Sequence, residues 1–165
     1  MPTFELNLRP IADADLAFLQ ALYASTRADE VAQLPWDKAS KDAFLAQQFT
    51  AQHQYYKAHY QGAALSLICM GECAIGRLYI FRGPTTLNLI DISLLPEWCG
   101  QGIGSHFLRA LTDEADATGK TIRLFVEPTN PARRLYERCG FGVTGSNHIY
   151  LQMQRTPAPA LAVSA

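Results

Sequence analysis

Leu87 to Phe107 reads LNLIDISLLPEWCGQGIGSHF, and this stretch decides the fold. An apolar strand runs into Pro96. A glycine loop follows, Cys99-Gly100-Gln101-Gly102-Ile103-Gly104, with Ser105 after it, and a helix opens from the loop. Glycines at alternate positions remove the side chains that would keep a ligand off the backbone. The first amides of the helix have no partner within it. Its dipole adds roughly half a positive charge at that end. Such a strand, loop and helix form a site for phosphate.

Working outward, Thr3–Arg9 alternates apolar and polar residues, as a half-buried strand does, and Pro10 closes it. Asp13 is placed to cap a helix carrying Leu16, Leu19, Leu22 and Tyr23 at helical spacing. A second helix is predicted from Lys38 to His59, capped by Asp37 or Ser40, with Ala28–Asp37 as a loop between the two. Beyond Gly62 the period changes. Ala64–Met70 and Cys73–Phe81 read as a hairpin about Gly71-Glu72, followed by a strand over Thr86–Leu95. Then come a helix over Gly102–Thr118, a strand over Thr121–Val126 and a short helix over Pro131–Arg138. Two closing strands are predicted over Phe141–Thr144 and His148–Met153. The order is βααβββαβαββ. It predicts an α+β fold in three layers, with a mixed, mainly antiparallel central sheet flanked by helices.

Composition bounds the function. One domain over residues 1–155 is expected in a chain of 165, with the uncharged Pro/Ala-rich stretch 156–165 as a disordered tail. The net charge of −1 lacks a basic run, which argues against nucleic acid as a partner. No apolar run approaches the ~20 residues of a membrane span. Met1–Arg9 has no signal-peptide core, so a cytoplasmic protein is expected. No pair among Cys69, Cys73, Cys99 and Cys139 has the two-residue gap of a zinc knuckle, no His sits at ligand spacing beside them, and no metal is expected. Cys69 and Cys139 lie in apolar runs and read as buried small hydrophobes.

A glycine loop suits several phosphate ligands. A dinucleotide fold is disfavoured because Ser105 stands where the third fingerprint glycine belongs and because the loop follows several strands. A P-loop fails because no Lys-Ser/Thr pair follows the last glycine. The segment Asn130-Pro131-Ala132-Arg133-Arg134-Leu135-Tyr136-Glu137-Arg138-Cys139-Gly140-Phe141 decides between them. Its A-x-x-L-Y-x-x-x-G-F core, after a Q/R-x-x-G-x-G/A loop, resembles the GNAT N-acetyltransferase superfamily. Asp91 to Trp98 also looks like the strand end of bacterial members. The chain departs at Cys99, where the family has Gln or Arg.

The resemblance implies acetyl-coenzyme A as co-substrate and a primary amine, in a small molecule or peptide, as acceptor. Gly100, Gln101, Gly102, Ile103, Gly104 and Ser105 would hold the pyrophosphate. Ile92, Ser93 and Leu94 would offer a strand edge to the pantetheine arm. Asn130 would bond that arm, and Arg133 or Arg134 would reach a phosphate. Tyr136 would protonate the departing thiolate as general acid, and the amide of Leu94 would polarise the thioester oxygen. The strand-four acid of some members falls on Asn88, which cannot act as a base; Asp91 and Glu127 are the nearest carboxylates. A non-catalytic acyl-coenzyme A-binding module is the alternative. The oligomeric state, monomer or homodimer, is left open.

Overall fold

The computed structural model describes residues 5–158. Seven strands form one sheet in the order β1-β2-β3-β4-β5-β7-β6. They are β1 (Leu6–Pro10), β2 (Ala64–Met70), β3 (Cys73–Arg82), β4 (Thr86–Leu94), β5 (Thr121–Val126), β6 (Gly142–Ser146) and β7 (Leu151–Arg155). β4 and β5 run parallel, with Thr86 opposite Thr121 and Leu89 opposite Leu124. The β1–β2, β5–β7 and β6–β7 pairs are antiparallel. The helices are α1 (Leu16–Thr26), α2 (Ala28–Ala32), α3 (Lys38–His59), α4 (Ile103–Thr118) and α5 (Ala132–Arg138). The chain divides into two compact units. One holds the residues up to Tyr79 together with Asp91–Gly100; the other holds Ile80–Ile90 and the residues from Gln101 onward.

In the first unit, helical spacing on α1 and α3 meets strand alternation on β2. Leu19, Tyr23, Leu45 and Phe49 pack with Leu67 and Cys69 in one core. Asp37 caps α3, its Oδ1 accepting from the Ser40 amide at 2.7 Å. Two expectations are corrected here. Asp13 opens a short 3-10 turn ahead of α1 instead of capping that helix, and the Asp15 carboxylate closes the turn by accepting from the Ala12 amide at 2.8 Å. The predicted loop from Ala28 contains the helix α2, because Val31 is buried in the same core; Pro35 keeps it short.

In the second unit, α4 buries Ile103, Phe107, Leu108 and Leu111 and ends at Gly119, whose φ of 65° suits glycine. β5 buries Ile122, Leu124 and Val126. The closing strands lie later than predicted. Asn147 explains the shift: its Oδ1 accepts from the amides of Ile149 (2.8 Å) and Tyr150 (2.6 Å), making residues 147–150 the turn. Cys139 is half-buried, in contrast to the fully buried Cys69. Thr156–Ala158 is irregular, and the Ala158 amide is anchored on Asp116 at 2.9 Å. The rest of the predicted disordered tail, 159–165, lies outside the described residues.

Candidate active site

In the second unit, the glycine loop enters α4 through Gly102 at φ 82°. Gly100, in the first unit, has φ 76°. A Cβ at either would meet nothing within 4 Å, so it is the backbone conformation that demands glycine. Gly102 is the N-cap of α4 and offers no side chain to the first-turn amides; no acid lies in that turn. These donors therefore keep their capacity for an external anion. Gln101 and Gly102 are exposed, Gly104 and Ser105 are half-buried, and Ile103 is turned into the core.

α5 lies beside this turn: a Cβ built on Gly104 would sit 3.7 Å from Leu135 Cδ2. Pro131 is the N-cap of α5, and Asn130 stands just before it. The Asn130 Oδ1 accepts from the Ala132 amide at 2.9 Å, and its carbonyl oxygen from the Arg133 amide at 3.1 Å. The Asn130 side-chain oxygen is thus committed to the helix start, which leaves its amide N–H groups to face a ligand. Arg133 donates to the Pro128 carbonyl at 2.9 Å and approaches Glu137 at 3.6 Å, while its buried Nε has no partner. Asn130, Arg133, Arg134 and Glu137 border a hollow of about 530 Å³. Tyr136 is buried, its ring 5.8 Å from that of Phe141.

The end of β4 belongs to the first unit, where Ile92, Ser93 and Leu94 are half-buried. β4 and β3 approach so closely here that a Cβ on Gly76 would come within 2.2 Å of the Ser93 carbonyl oxygen. The Cys99 thiol turns back on the strand end, 3.7 Å from the Leu94 oxygen and 3.5 Å from the Leu95 oxygen. The pairing of β4 with β5 ends at Leu89, while β4 continues to Leu94.

The candidate bases separate. Asn88 is buried, and its Oδ1 accepts from Arg123 Nε (3.0 Å) and Nη2 (2.8 Å). Asp91 is ion-paired to Arg77, which is only 3% exposed. Arg77 also donates to Gln52 on α3 at 2.8 Å and lies over the Tyr79 ring, 4.7 Å from its centroid. Sequence reading missed Arg77 and Gln52. The available signal was an arginine inside the apolar run Ile75–Ile80, since a buried charge requires a partner.

A sheet of this order, with a glycine-entered helix following its fourth strand, defines an N-acetyltransferase fold. The model of the acetyltransferase (GNAT) family matches residues 20–141, and the chain belongs to that family. The PaiA N-acetyltransferase of Thermoplasma acidophilum, solved with coenzyme A, has a TM-score of 0.69 at 15% identity, over 92% of this chain and 99% of that one. An acetyltransferase of Thermus thermophilus has a TM-score of 0.66 at 16% identity, over 94% and 99%. The spermidine N-acetyltransferase of Vibrio cholerae, solved with coenzyme A and spermine, has a TM-score of 0.62 at 20% identity, over 92% and 95%. At these identities the likeness is one of fold. No curated protein matches the chain. No helix among the described residues is long and apolar enough to cross a membrane.

Proposed function

We propose that this chain transfers an acetyl group from acetyl-coenzyme A to a primary amine by direct attack in a ternary complex. The observation that carries this reading is the start of α4. A left-handed glycine N-cap and an acid-free first turn leave backbone donors unspent, in a chain of the acetyltransferase family. The amides of Gly100–Ser105 take the pyrophosphate. The end of β4 past Leu89, through Ile92, Ser93 and Leu94, takes the pantetheine arm as an added strand. Asn130 keeps its side-chain amide N–H groups for the same arm, and Arg133 stands at the hollow for a phosphate.

The amine attacks the thioester carbon while the Leu94 amide stabilises the oxygen. Collapse breaks the carbon–sulfur bond and Tyr136 donates its proton to the thiolate; the nitrogen gives up its surplus proton to water, from which Tyr136 is reprotonated. A net charge of −1 without a basic run favours a small-molecule or peptide acceptor over nucleic acid, and we infer a cytoplasmic setting. The engagement of Asn88 by Arg123 favours a second reading, an acyl-coenzyme A-binding module, because that position holds no base. Thiol release from acetyl-coenzyme A, measured across polyamines, amino-acid amides and lysine peptides, separates the two. Coenzyme A binding with no turnover for any amine selects the binding module.

A further inference from the structure

Three carboxylates among the described residues are each gripped on both oxygens by an arginine six or more residues away in sequence. Asp116 is gripped by Arg155 at 2.9 and 3.0 Å. Glu114 is gripped by Arg82 at 2.7 and 3.0 Å, and Asp15 by Arg9 at 3.1 Å on each oxygen. Asp91 is held differently from these three. Arg77 Nε and Ser93 Oγ, the latter at 2.7 Å, both donate to its Oδ2. Among the described residues nothing donates to Oδ1, and the side chain is 26% exposed. The anchor beneath it is rigid: Arg77 is buried, tied to Gln52 and stacked on Tyr79. The result is a carboxylate fixed by one oxygen with the other presented outward, on the strand segment that runs to Leu94.

We propose that Asp91 Oδ1 accepts an N–H hydrogen bond from the acceptor amine and so orients its nitrogen, with Arg77 as the positioning residue. This rests on the acetyl-transfer reading. Because Arg77 already balances the charge of Asp91, Oδ1 suits a neutral N–H donor, the form of an amine that carries a nucleophilic lone pair. A second cation at the same place would meet the field of Arg77.

Two measurements test it. In the first, the side-chain carboxyl ¹³C resonance of Asp91 is followed in the wild-type protein with coenzyme A present. n-Butylamine and n-butyltrimethylammonium are titrated in turn. A saturable shift with the amine, and none with the quaternary ion, is expected; equal shifts, or no shift, overturn the proposal. This readout does not depend on turnover, so it stands even if the amine panel shows the acetyl-transfer reading to be wrong.

The second is kinetic, with the best amine of that panel. Asp91→Asn lets the amide oxygen face Arg77 and Ser93 and puts a donor where Oδ1 stood. Its kcat/KM for the amine should fall about 10- to 100-fold while coenzyme A affinity holds. Arg77→Met with Asp91→Leu removes both charges together, so no buried charge is left unpaired and the fold is spared. That double variant should lose activity to a similar degree. Wild-type kcat/KM in the folded double variant assigns the pair to packing alone and overturns the proposal.

Discussion

Tyr136 lets chemistry and packing be separated by a single atom. Its ring is 7% exposed and packs against Phe141, so Tyr136→Phe preserves the shape of the site and deletes only the hydroxyl. If that hydroxyl protonates the thiolate, single-turnover acetyl transfer should slow on the order of 100-fold. Acetyl-coenzyme A affinity, read by calorimetry, should stay within error. An unchanged chemical step leaves Tyr136 as a packed residue only. At this scale legibility followed locality. Tyr136 and the glycines stand in short contiguous motifs, and each motif maps onto one turn of structure. Arg77 was not legible as a functional group, because its partners lie 25 residues before it and 14 after it. Sequence marks such a charge as anomalous but does not say what neutralises it. Asn130 shows the opposite limit: the residue type was read, but its oxygen is engaged in starting α5.

The entry to α4 is an element whose stability and function pull apart. Gly104 lies inside the first turn, and a methyl there meets only Leu135 at an ordinary 3.7 Å. Gly104→Ala should therefore raise helix stability by about 0.5–1 kcal/mol. If the backbone of this turn is the phosphate cradle, the same methyl stands in the ligand's approach, and coenzyme A affinity should drop by about tenfold or more. Thermal melting and calorimetry on one variant read both effects. Affinity that is unchanged, or that rises with stability, removes the cradle from this turn. Most elements were predictable because period, glycine and proline agree, as in β5, read at its observed bounds Thr121–Val126. The exceptions have tertiary causes. α2 forms because Val31 finds a core to fill. The β6–β7 turn moves because one side chain, Asn147, satisfies two amides.

Over the whole molecule, charge is nearly balanced at pH 7, so the first losses of stability on acidification come from particular groups; net positive repulsion is added only once the carboxylates are protonated. His53 on α3 stacks on Phe49 at 5.5 Å and has a buried Nδ1 with no hydrogen-bond partner. Burial, then Lys57 on its own helix and Arg77 on β3, hold its pKa below the ordinary imidazole value. Below about pH 6.5 the unfolded chain binds a proton there that the folded chain refuses, so stability falls as the pH drops. The carboxylates act later. Side-chain hydrogen bonds lower Asp15 (Arg9), Asp37 (Ser40), Glu114 (Arg82) and Asp116 (Arg155) below their ordinary values. Each contributes stability that is complete above the ordinary carboxylate range of about 4 and is lost as pH falls through the folded-state value. Melting temperature measured from pH 8 to pH 3 should therefore descend in two stages, the first below about pH 6.5 and the second below about pH 4. His53→Gln should flatten the first stage and leave the second intact. If the variant keeps the wild-type slope between pH 7 and pH 5, the proton that destabilises the fold binds elsewhere.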